Sequence, residues 1–375
     1  MSVKGVNKEN IRKYALNEFL TEYKILNADN KYRPVAVGRY GIRKRESIYS
    51  KELAKDYSKN KLIYKNTLTV GMGSKQIDIG ILTEDEVFAV SPAYHTYEIQ
   101  GIRCKYLEYC LRSKNIEMFS LYAKRGSRQG KSIDLKRWLT YKIPVYSEED
   151  QIVIEDNLNK INVVIELRRK QLELLDELVR ARFVEMFGDV QDAKKRGGQQ
   201  LKDICNTVAG GTPSTKHVEY YNGTIPWIST VSLGPNYIDG TTAKAFITQE
   251  AVDSSSTKII PSGSILFGTR VGVGKSSINQ VEMCTNQDIV AIIDLDVSKY
   301  NKLYIKYVLD TYQPYFDSIK KGATILGISS DDLKNIYVPD ASLYEQNRFE
   351  KFVKQIDKSR LLNNHLLFLL KSITF

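Results

Sequence analysis

Histidine and cysteine are scarce in this chain of 375 residues, which contains three histidines and four cysteines. The cysteines have no Cys-x-x-Cys spacing, so we expect reduced thiols in a cytoplasmic protein rather than disulfides or a zinc site. No apolar run approaches the ~20 residues that a membrane span needs. The N-terminal stretch carries charges without an apolar core, so we do not expect it to act as a secretory signal. The cysteines are Cys104, Cys110, Cys205 and Cys284.

Motifs for catalysis are also missing. The sequence holds no Asn/Asp-Pro-Pro-aromatic motif for amino methylation, and no glycine-rich loop placed to bind S-adenosylmethionine. Pro339 and Asp340 lead directly into a helical pattern without the lysine that a PD…(D/E)xK nuclease needs. We therefore expect a chain without a catalytic site, a metal or a cofactor of its own.

One glycine-rich segment, residues 268–277, superficially resembles a nucleotide-binding P-loop. A P-loop requires a glycine five residues before the glycine of Gly-Lys. That position, counted back from Gly274, is Thr269. The segment is instead expected to be a turn after a strand, which presents Arg270 and Lys275 to DNA phosphates or to a guanine edge.

The net charge of +11 indicates an acidic partner, and it is unevenly distributed. Residues 1–150 contain 28 Lys and Arg against 18 Asp and Glu, whereas residues 201–350 contain 13 against 16. A nucleic-acid surface could therefore extend across the first part of the chain. In the second part any such surface has to be local.

An internal duplication is the strongest signal in the sequence. Residues 133–183 match residues 328–375 at an offset of 195, and residues 105–111 match 303–309 at an offset of 198. Two copies of one domain-plus-helix unit explain the match, because the period is far too long for a solenoid repeat. The matched pairs are Ile133 with Ile328, Trp138 with Leu333, Pro144 with Pro339, Ser147 with Ser342, Gln151 with Gln346 and Ile161 with Ile356.

Each copy ends in a long helical pattern. No Gly or Pro lies between Glu148 and Phe187, Ser147 provides an N-cap, and Gly188 stands where a C-terminal glycine stop belongs. Heptad spacing of apolar residues predicts a coiled-coil seam. We expect the two helices to pack on each other; the alternative is that each packs on its own domain. The seam residues are Ile154, Leu158, Ile161, Ile165, Leu172, Leu175, Val179 and Met186 in the first helix, and Phe349, Val353, Ile356, Leu367 and Leu370 in the second.

Short runs of Tyr, Ile, Val and Thr, separated by Gly, Pro, Asn and Ser, predict short strands and turns before each helix. Polar and basic loop residues among them are candidates for DNA contacts, although a charge run is usually only a solvated face. The candidates besides Arg270 and Lys275 are Thr212, Ser214, Lys216, Arg39, Arg43, Lys44, Arg45, Lys124, Arg125 and Arg128.

Several of these segments together resemble type I restriction-modification specificity subunits. The resemblance is good over residues 200–375, moderate over 100–190 and weak over 1–100. The segments that carry it are GGTPS (210–214), IPWI (225–228), IIPSGSILFGTRVGVGKSS (259–277), TNQDIVAI (285–292), KKGAT (320–324), the EQ at 345–346 and LLDELVRARFVEMFGD (174–189). The resemblance adds Lys320 and Lys321 to the candidate DNA contacts.

The resemblance implies an α+β fold in which two mixed α/β target-recognition domains are joined by two long helices that form an antiparallel coiled coil. Each domain would read one half of a bipartite, asymmetric site in double-stranded DNA. The expected boundaries are 1–147 for the first recognition domain, 148–190 for the central helix, 197–340 for the second recognition domain and 342–375 for the C-terminal helix.

The same resemblance implies that the helices dock methyltransferase subunits and that restriction or translocase subunits join the complex. S-adenosylmethionine, ATP and Mg²⁺ are then expected on those partners. Two alternatives remain open at this point. One is a specificity subunit of a related system whose partner fuses methyltransferase and nuclease; the other is a coiled-coil adaptor that does not bind DNA.

Overall fold

The structure, a computed structural model, describes residues 11–48, 54–124, 132–322 and 324–374. The chain divides into two compact units. The first unit comprises residues 1–170 and 364–375, and the second unit comprises residues 171–363. Both mix short strands with helices, so the predicted α+β class is confirmed. Among the described residues, no helix combines the length and the apolar character that crossing a membrane requires.

The first unit is built around a four-stranded antiparallel sheet in the order β2-β9-β6-β7. Helix α1 packs on this sheet through Leu107 and Leu111, which are fully buried beside Leu68 and Trp138. Its strands are β1 Arg12–Ala15, β2 Leu20–Tyr23, β3 Val35–Gly38, β4 Gly41–Lys44, β5 Lys61–Ile63, β6 Thr67–Met72, β7 Ile77–Leu82, β8 Phe88–Val90, β9 His95–Ile99, β10 Ala123–Lys124, β11 Ser132–Ile133 and β12 Lys142–Val145, and its short helices are α1 Cys104–Ser113, α2 Asn115–Tyr122 and α3 Leu135–Trp138.

The first long helix, α4, spans Glu148–Phe187, as the sequence predicts. The Ser147 hydroxyl accepts a hydrogen bond from the Asp150 N–H at its start (3.1 Å). At its end, Gly188 has φ +71°, which favours glycine, and its N–H donates to the Val184 carbonyl (2.7 Å). The Arg196 guanidinium then donates to the Phe187 carbonyl (2.7 Å). The predicted glycine stop is therefore confirmed.

The second unit contains a five-stranded sheet in the order β14-β21-β18-β19-β16, with Phe267 and Ile292 in its core. Its strands are β13 Gln199–Gln200, β14 Asn206–Ala209, β15 Ile225–Ile228, β16 Tyr237–Ile238, β17 Ala245–Ile247, β18 Ile265–Gly268, β19 Ser276–Asn279, β20 Cys284–Thr285, β21 Ile289–Ile293 and β22 Tyr337–Val338, and its helices are α5 Gln249–Asp253, α6 Lys302–Thr311, α7 Gln313–Ile319 and α8 Ser330–Lys334. The second long helix, α9, spans Leu343–Thr374.

The predicted duplication is visible in both sheets and in their hydrogen bonds. The strand order β2-β9-β6-β7 of the first unit repeats as β14-β21-β18-β19 in the second. The Tyr106 hydroxyl donates to the Pro144 carbonyl at 2.7 Å, and the Tyr304 hydroxyl donates to the Pro339 carbonyl at the same distance. These pairs occupy matching positions of the repeat, so the two units share one framework.

A buried glutamine joins the first turns of each long helix to its own unit. Gln151 accepts a hydrogen bond from the Arg103 N–H (3.1 Å) and donates to the Tyr146 carbonyl (2.9 Å). Its repeat partner Gln346 accepts from the Asn301 N–H (2.8 Å) and donates to the carbonyl of Ala341 (2.8 Å).

A glutamate one turn further along each long helix also bonds the helix to its own unit. Glu155 accepts from the Tyr106 N–H (2.9 Å) and pairs with Arg103. Its counterpart Glu350 accepts from the Asn301 side chain (2.7 Å). Buried, multiply bonded side chains fix the direction in which each helix leaves its unit.

Within the second unit, the end of α4 and the start of α9 pack against each other in opposite directions. Phe183 and Phe187 contact Phe349, with ring centroids 5.5 and 5.6 Å apart. Towards the other end of this pairing, Asp176 forms an ion pair with Arg360 (2.5 Å). Residues near the end of α4 contact the start of α9, and an earlier residue of α4 contacts a later residue of α9. The two helices are therefore antiparallel here, as expected.

The expected seam residues are covered to different degrees. Ile165, Val179 and Leu367 are buried, and Phe349 and Val353 are fully so. Phe183, which the heptad prediction did not include, is also fully buried. The partly exposed seam residues are Ile154, Leu158, Ile161, Leu172, Leu175, Met186, Ile356 and Leu370.

Candidate nucleic-acid interface

Three segments meet at one end of the five-stranded sheet. Strand pairing places Ala209 opposite Val290 and Gly268 opposite Ile289, so β14 and β18 end where β21 begins. The segments that extend beyond this sheet end are residues 210–217, 269–275 and 286–288. The sheet therefore brings the GGTPS segment, the glycine-rich turn and the TNQD segment together at this end. We call the surface that these three segments form the loop face.

Hydrogen bonds connect these segments directly. The Thr212 hydroxyl donates to the Gln287 side-chain oxygen. The N–H and hydroxyl of Thr269 donate to the Asp288 carbonyl at 2.8 and 3.1 Å. The Ile328 N–H donates to the Thr269 carbonyl (2.8 Å), which adds the segment after α7 to the face.

Close packing explains the two glycines of GGTPS. A Cβ atom on Gly210 would overlap the Asn286 carbonyl and the Thr285 hydroxyl, and one on Gly211 would overlap the backbone at Thr257. The indole N–H of Trp227 donates to the Gly211 carbonyl (3.0 Å). The segment is thereby fixed against the domain, while Thr212, Ser214 and Lys216 beyond it remain exposed.

The glycine-rich turn connects two strands, β18 and β19, whereas a P-loop connects a strand to a helix. The expectation of a turn is therefore correct. Gly274 has φ +87°, and a Cβ there would overlap the Gln313 side chain. The Gln313 amide donates to the Val273 carbonyl (3.0 Å), which fastens the turn to helix α7.

Arg270 and Lys275 are both exposed on this turn. Neither forms an ion pair with any of the residues that the structure describes. An arginine held in place only for structural reasons would pair with a carboxylate. With respect to the described part of the chain, the donors of the Arg270 guanidinium are therefore available to an external acceptor.

The lysines of the KKGAT segment lie beside Arg270. A Cβ on Gly327 would be 3.0 Å from the Arg270 Cγ, and Lys321 exchanges backbone hydrogen bonds with Gly327 (2.8 and 2.9 Å). Lys320 pairs with Asp317, and this hydrogen bond lowers the pKa of the Asp317 carboxyl. Lys321 is exposed, whereas the pairing of Lys320 reduces the charge that it can offer to DNA.

In the first unit, the basic cluster at residues 39–45 was expected in a loop, but only Arg39 lies in the two-residue turn between β3 and β4. Arg43 and Lys44 lie on β4, because they pair with β3, and Arg45 begins the short 3-10 helix that follows. Arg39, Arg43 and Lys44 are exposed, and Arg45 is partly covered, with its guanidinium 5.4 Å from the Tyr57 ring. Lys124, at the start of the second basic cluster, lies 3.8 Å from the Asp134 carboxylate. Arg125 and Arg128 lie outside the described residues.

Sequence reasoning missed Gln287 and Gln313, which hold these segments in place. Both act across long sequence separations, so no local pattern could reveal them. It also left Thr285 and Asn286 without a role. The Thr285 hydroxyl and the Asn286 side-chain oxygen are buried without a hydrogen-bond partner among the described residues, directly behind the loop face.

Parts of the chain are similar to known proteins. Residues 198–371 match the type I restriction modification DNA specificity domain family. A stretch of 162 residues is 34% identical to the type I restriction enzyme MjaIX specificity subunit of Methanocaldococcus jannaschii, and it covers 42% of this chain and 37% of that protein. A stretch of 176 residues is 32% identical to the EcoR124I/EcoR124II specificity subunit of Escherichia coli, with coverage of 44% and 41%.

A solved chain, described in work on complex assembly and conformational transition of the type I R-M system, shares the fold. The comparison covers 100% of this chain and 97% of that one, with a TM-score of 0.60 and 14% identity. At this identity the likeness shows a shared fold. Residues 198–371 are thus similar to the DNA specificity domain of type I restriction-modification systems, and the matched stretches span about two fifths of the two relatives above.

Proposed function

We propose that this chain reads a bipartite DNA site for a type I restriction-modification complex. The observation that carries the proposal is the loop face of the second unit, whose connected segments expose four cations together with Thr212 and Ser214. Backbone and hydroxyl donors with Lys and Arg are the groups that contact phosphates and base edges. The cations are Lys216, Arg270, Lys275 and Lys321.

The shared framework supports two half-sites. Because the first unit repeats the second unit's sheet, it offers the same end of the sheet for a second set of loops. Its loops differ in sequence, so each unit would read a different half-site. In the second unit Thr212, Ser214, Lys216, Lys320 and Lys321 would contact DNA with Arg270 and Lys275; in the first unit the hairpin cations and the Lys124 segment would do so.

The long helices would dock methyltransferase subunits. Buried seam residues such as Ile165 and Val353 are unavailable for this contact, so in this proposal the outer faces of the helices dock the subunits. Apolar side chains remain on the outer faces, and Leu361 and Leu362 are 74% and 62% exposed. Leu167, Leu174 and Leu178 line the outer face of α4 at helical spacing. Large exposed leucines at helical spacing are typical of a partner surface.

In this proposal catalysis belongs to the partners. They would hold S-adenosylmethionine for methylation and, where a restriction or translocase subunit joins, ATP and Mg²⁺. The assembly would work on cytoplasmic DNA. A coiled-coil adaptor is disfavoured because unpaired Arg270 on a fastened turn has no use in it. A partner that fuses methyltransferase and nuclease would use the same recognition units.

Mapping of modified adenines in cells with and without this chain tests the proposal. We expect one bipartite, asymmetric motif to lose methylation when the chain is absent. Replacing residues 200–340 with those of a related chain should change one half-site and leave the other intact. Loss of no motif, or a change in both half-sites after the swap, would refute independent reading by the two units.

Helix length provides a second test. Helix α4 has 40 residues, so it extends about 60 Å, more than one turn of DNA (~34–36 Å). Inserting one heptad into each long helix should lengthen the spacer between the half-sites and keep their sequences. If the recognised bases changed while the spacer stayed the same, the helices would not set the spacing.

A further inference from the structure

The hairpin between β3 and β4 in the first unit carries an exposed aromatic residue at its tip. Gly38 pairs with Gly41, which leaves Arg39 and Tyr40 as the two turn residues. The Tyr40 side chain is 68% exposed. A tyrosine so far from the core contributes little to packing in the isolated chain. Its position therefore requires another explanation.

Two arginines flank the Tyr40 ring. The guanidinium carbons of Arg39 and Arg43 lie 5.7 and 5.4 Å from the ring centroid. Neither arginine forms an ion pair within the described ranges of the chain. Two unpaired cations beside one ring repel each other, and that repulsion is relieved when anions lie alongside. The tip thus combines an apolar face with two phosphate-seeking groups.

The tip is held in place. Arg112 donates a guanidinium hydrogen bond to the Arg39 carbonyl (3.2 Å). Val37 and Ile42 pack against strand β7 at Gly80, where a Cβ would be 2.6 Å from the Ile42 Cγ1. A tip fixed before binding loses little entropy when it contacts a ligand.

The repeat shows which end of the first unit this tip occupies. Arg112 and Asn115 correspond, at the offset of 198, to Asp310 and Gln313. Asp310 accepts from the Ser276 hydroxyl (2.7 Å), and Gln313 holds the turn that carries Arg270. Asn115 likewise brackets Ile77 at the start of β7, with two hydrogen bonds of 2.9 Å.

The hairpin tip is therefore held by the helix end that in the second unit supports the recognition loops. We propose that Tyr40 contacts the bases of the half-site read by the first unit, while Arg39 and Arg43 bind the phosphates beside it. This inference rests on the proposed function, and it identifies the hairpin tip as the part of the first unit that contacts bases. An apolar side chain in the major groove meets the thymine methyl group, which no other base offers.

The test uses the chain assembled with its methyltransferase subunits and short labelled duplexes that carry the motif mapped by adenine methylation. Tyr40→Ala should weaken discrimination roughly fivefold to a hundredfold at one base pair of one half-site. The slope of log affinity against log salt should not change, because no charge is lost. Arg43→Gln should instead weaken all sequences and lower that slope by about one.

Tyr344→Ala is the matched control. Tyr344 is 71% exposed with the Arg348 guanidinium 5.8 Å from its ring, but it lies in the first turn of α9. This variant should bind like the wild type. Tyr40→Phe keeps the ring and should retain most of the discrimination, and circular dichroism should show that all variants are folded.

The inference is wrong if Tyr40→Ala binds every duplex as Tyr344→Ala does, or if Tyr40→Phe loses discrimination as fully as Tyr40→Ala. If Tyr40→Ala bound DNA normally but a subunit were lost from the complex, the tip would contact a protein partner. That result would also overturn the inference. A wild-type complex that does not distinguish the mapped motif from a scrambled duplex would instead refute the proposed function itself.

Discussion

The two units have sheets with the same strand order, but they differ in the loops and turns that carry their exposed cations. The second unit uses a glycine-rich turn with Arg270, fastened by Gln313, in a region with fewer cations than acids. The first unit places a basic hairpin around Tyr40 in a region with ten more cations than acids, 28 against 18. Framework contacts such as Tyr106–Pro144 and Tyr304–Pro339 are the same in both.

The difference teaches that the duplication fixes the scaffold and leaves the loops free to vary. The sheet core and the joint to the long helix need the same residues in both copies because they perform the same packing. Loops that contact different bases need different side chains. Sequence similarity therefore persists in the second half of each copy and fades in the loops.

The largest effects should come from the cores, and they test whether the units fold independently. Trp138 and its repeat partner Leu333 are fully buried. Trp138→Ala should cost about 3–5 kcal/mol and Leu333→Ala about 2–5 kcal/mol, each in its own unit. The chain has two tryptophans, so in Trp138→Ala the fluorescence of Trp227 reports the second unit alone.

The denaturation midpoint seen by Trp227 should therefore stay constant in Trp138→Ala and fall in Leu333→Ala, the latter measured in a Trp138→Phe background. If Trp227 reported the same loss in both variants, the units would unfold as one body and the comparison between them would lose its basis.

Arg270→Ala should have the next largest effect, on DNA binding rather than stability. A bidentate contact to guanine would contribute ~1–3 kcal/mol of discrimination at one base pair. A phosphate contact would give a uniform loss of affinity and a smaller salt slope. Arg270→Lys separates these roles, because lysine replaces the charge but not the planar fork. Affinities measured at several salt concentrations for the cognate site and its single-base variants decide between them.

Unchanged affinity of folded Arg270→Ala for every duplex would remove this residue from the interface. The second unit would then need another reading element, and the contrast with the first unit's hairpin would have to be redrawn.

Tyr106→Phe and Tyr304→Phe should each cost about 1 kcal/mol, because each change leaves a proline carbonyl without its donor. The Tyr304 hydroxyl and its acceptor are buried, whereas the Tyr106 pair is only partly so. We therefore expect the larger loss for Tyr304→Phe in urea titrations. Equal or reversed losses would mean that the two joints are not equivalent.

The sequence predicted the scaffold better than the recognition face. The absence of Gly and Pro predicted α4, and Gly188 its end, because these signals are local. The offset of 195 led directly to the equivalence of Gln151 and Gln346. The roles of Gln313 and of the Tyr40 tip depend on pairing between distant segments. The heptad pattern also omitted Phe183, which is buried in an aromatic cluster rather than in a regular seam.

The smallest expected effect is a pH dependence confined to the first unit. Burial raises the pKa of the Asp78 carboxyl to about 6, above its ordinary value of 3.8. The folded state therefore binds this proton more tightly than the unfolded state does. The stability that the proton contributes is complete below pH ~4 and is lost as pH rises through ~6. Asp78 is only half-buried, so solvent reduces the effect below that of the tyrosine changes.

Asp78→Asn removes this titration and should stabilise the first unit above pH ~6, with no gain below pH ~4. The measurement is urea unfolding between pH 4 and 8 in a Trp227→Phe background, where Trp138 is the remaining tryptophan and lies in the first unit. A gain that is the same at every pH would show that the carboxyl does not titrate in this range. A gain seen equally by Trp227 in a Trp138→Phe background would show that the effect reaches the second unit, against the independence on which the comparison rests.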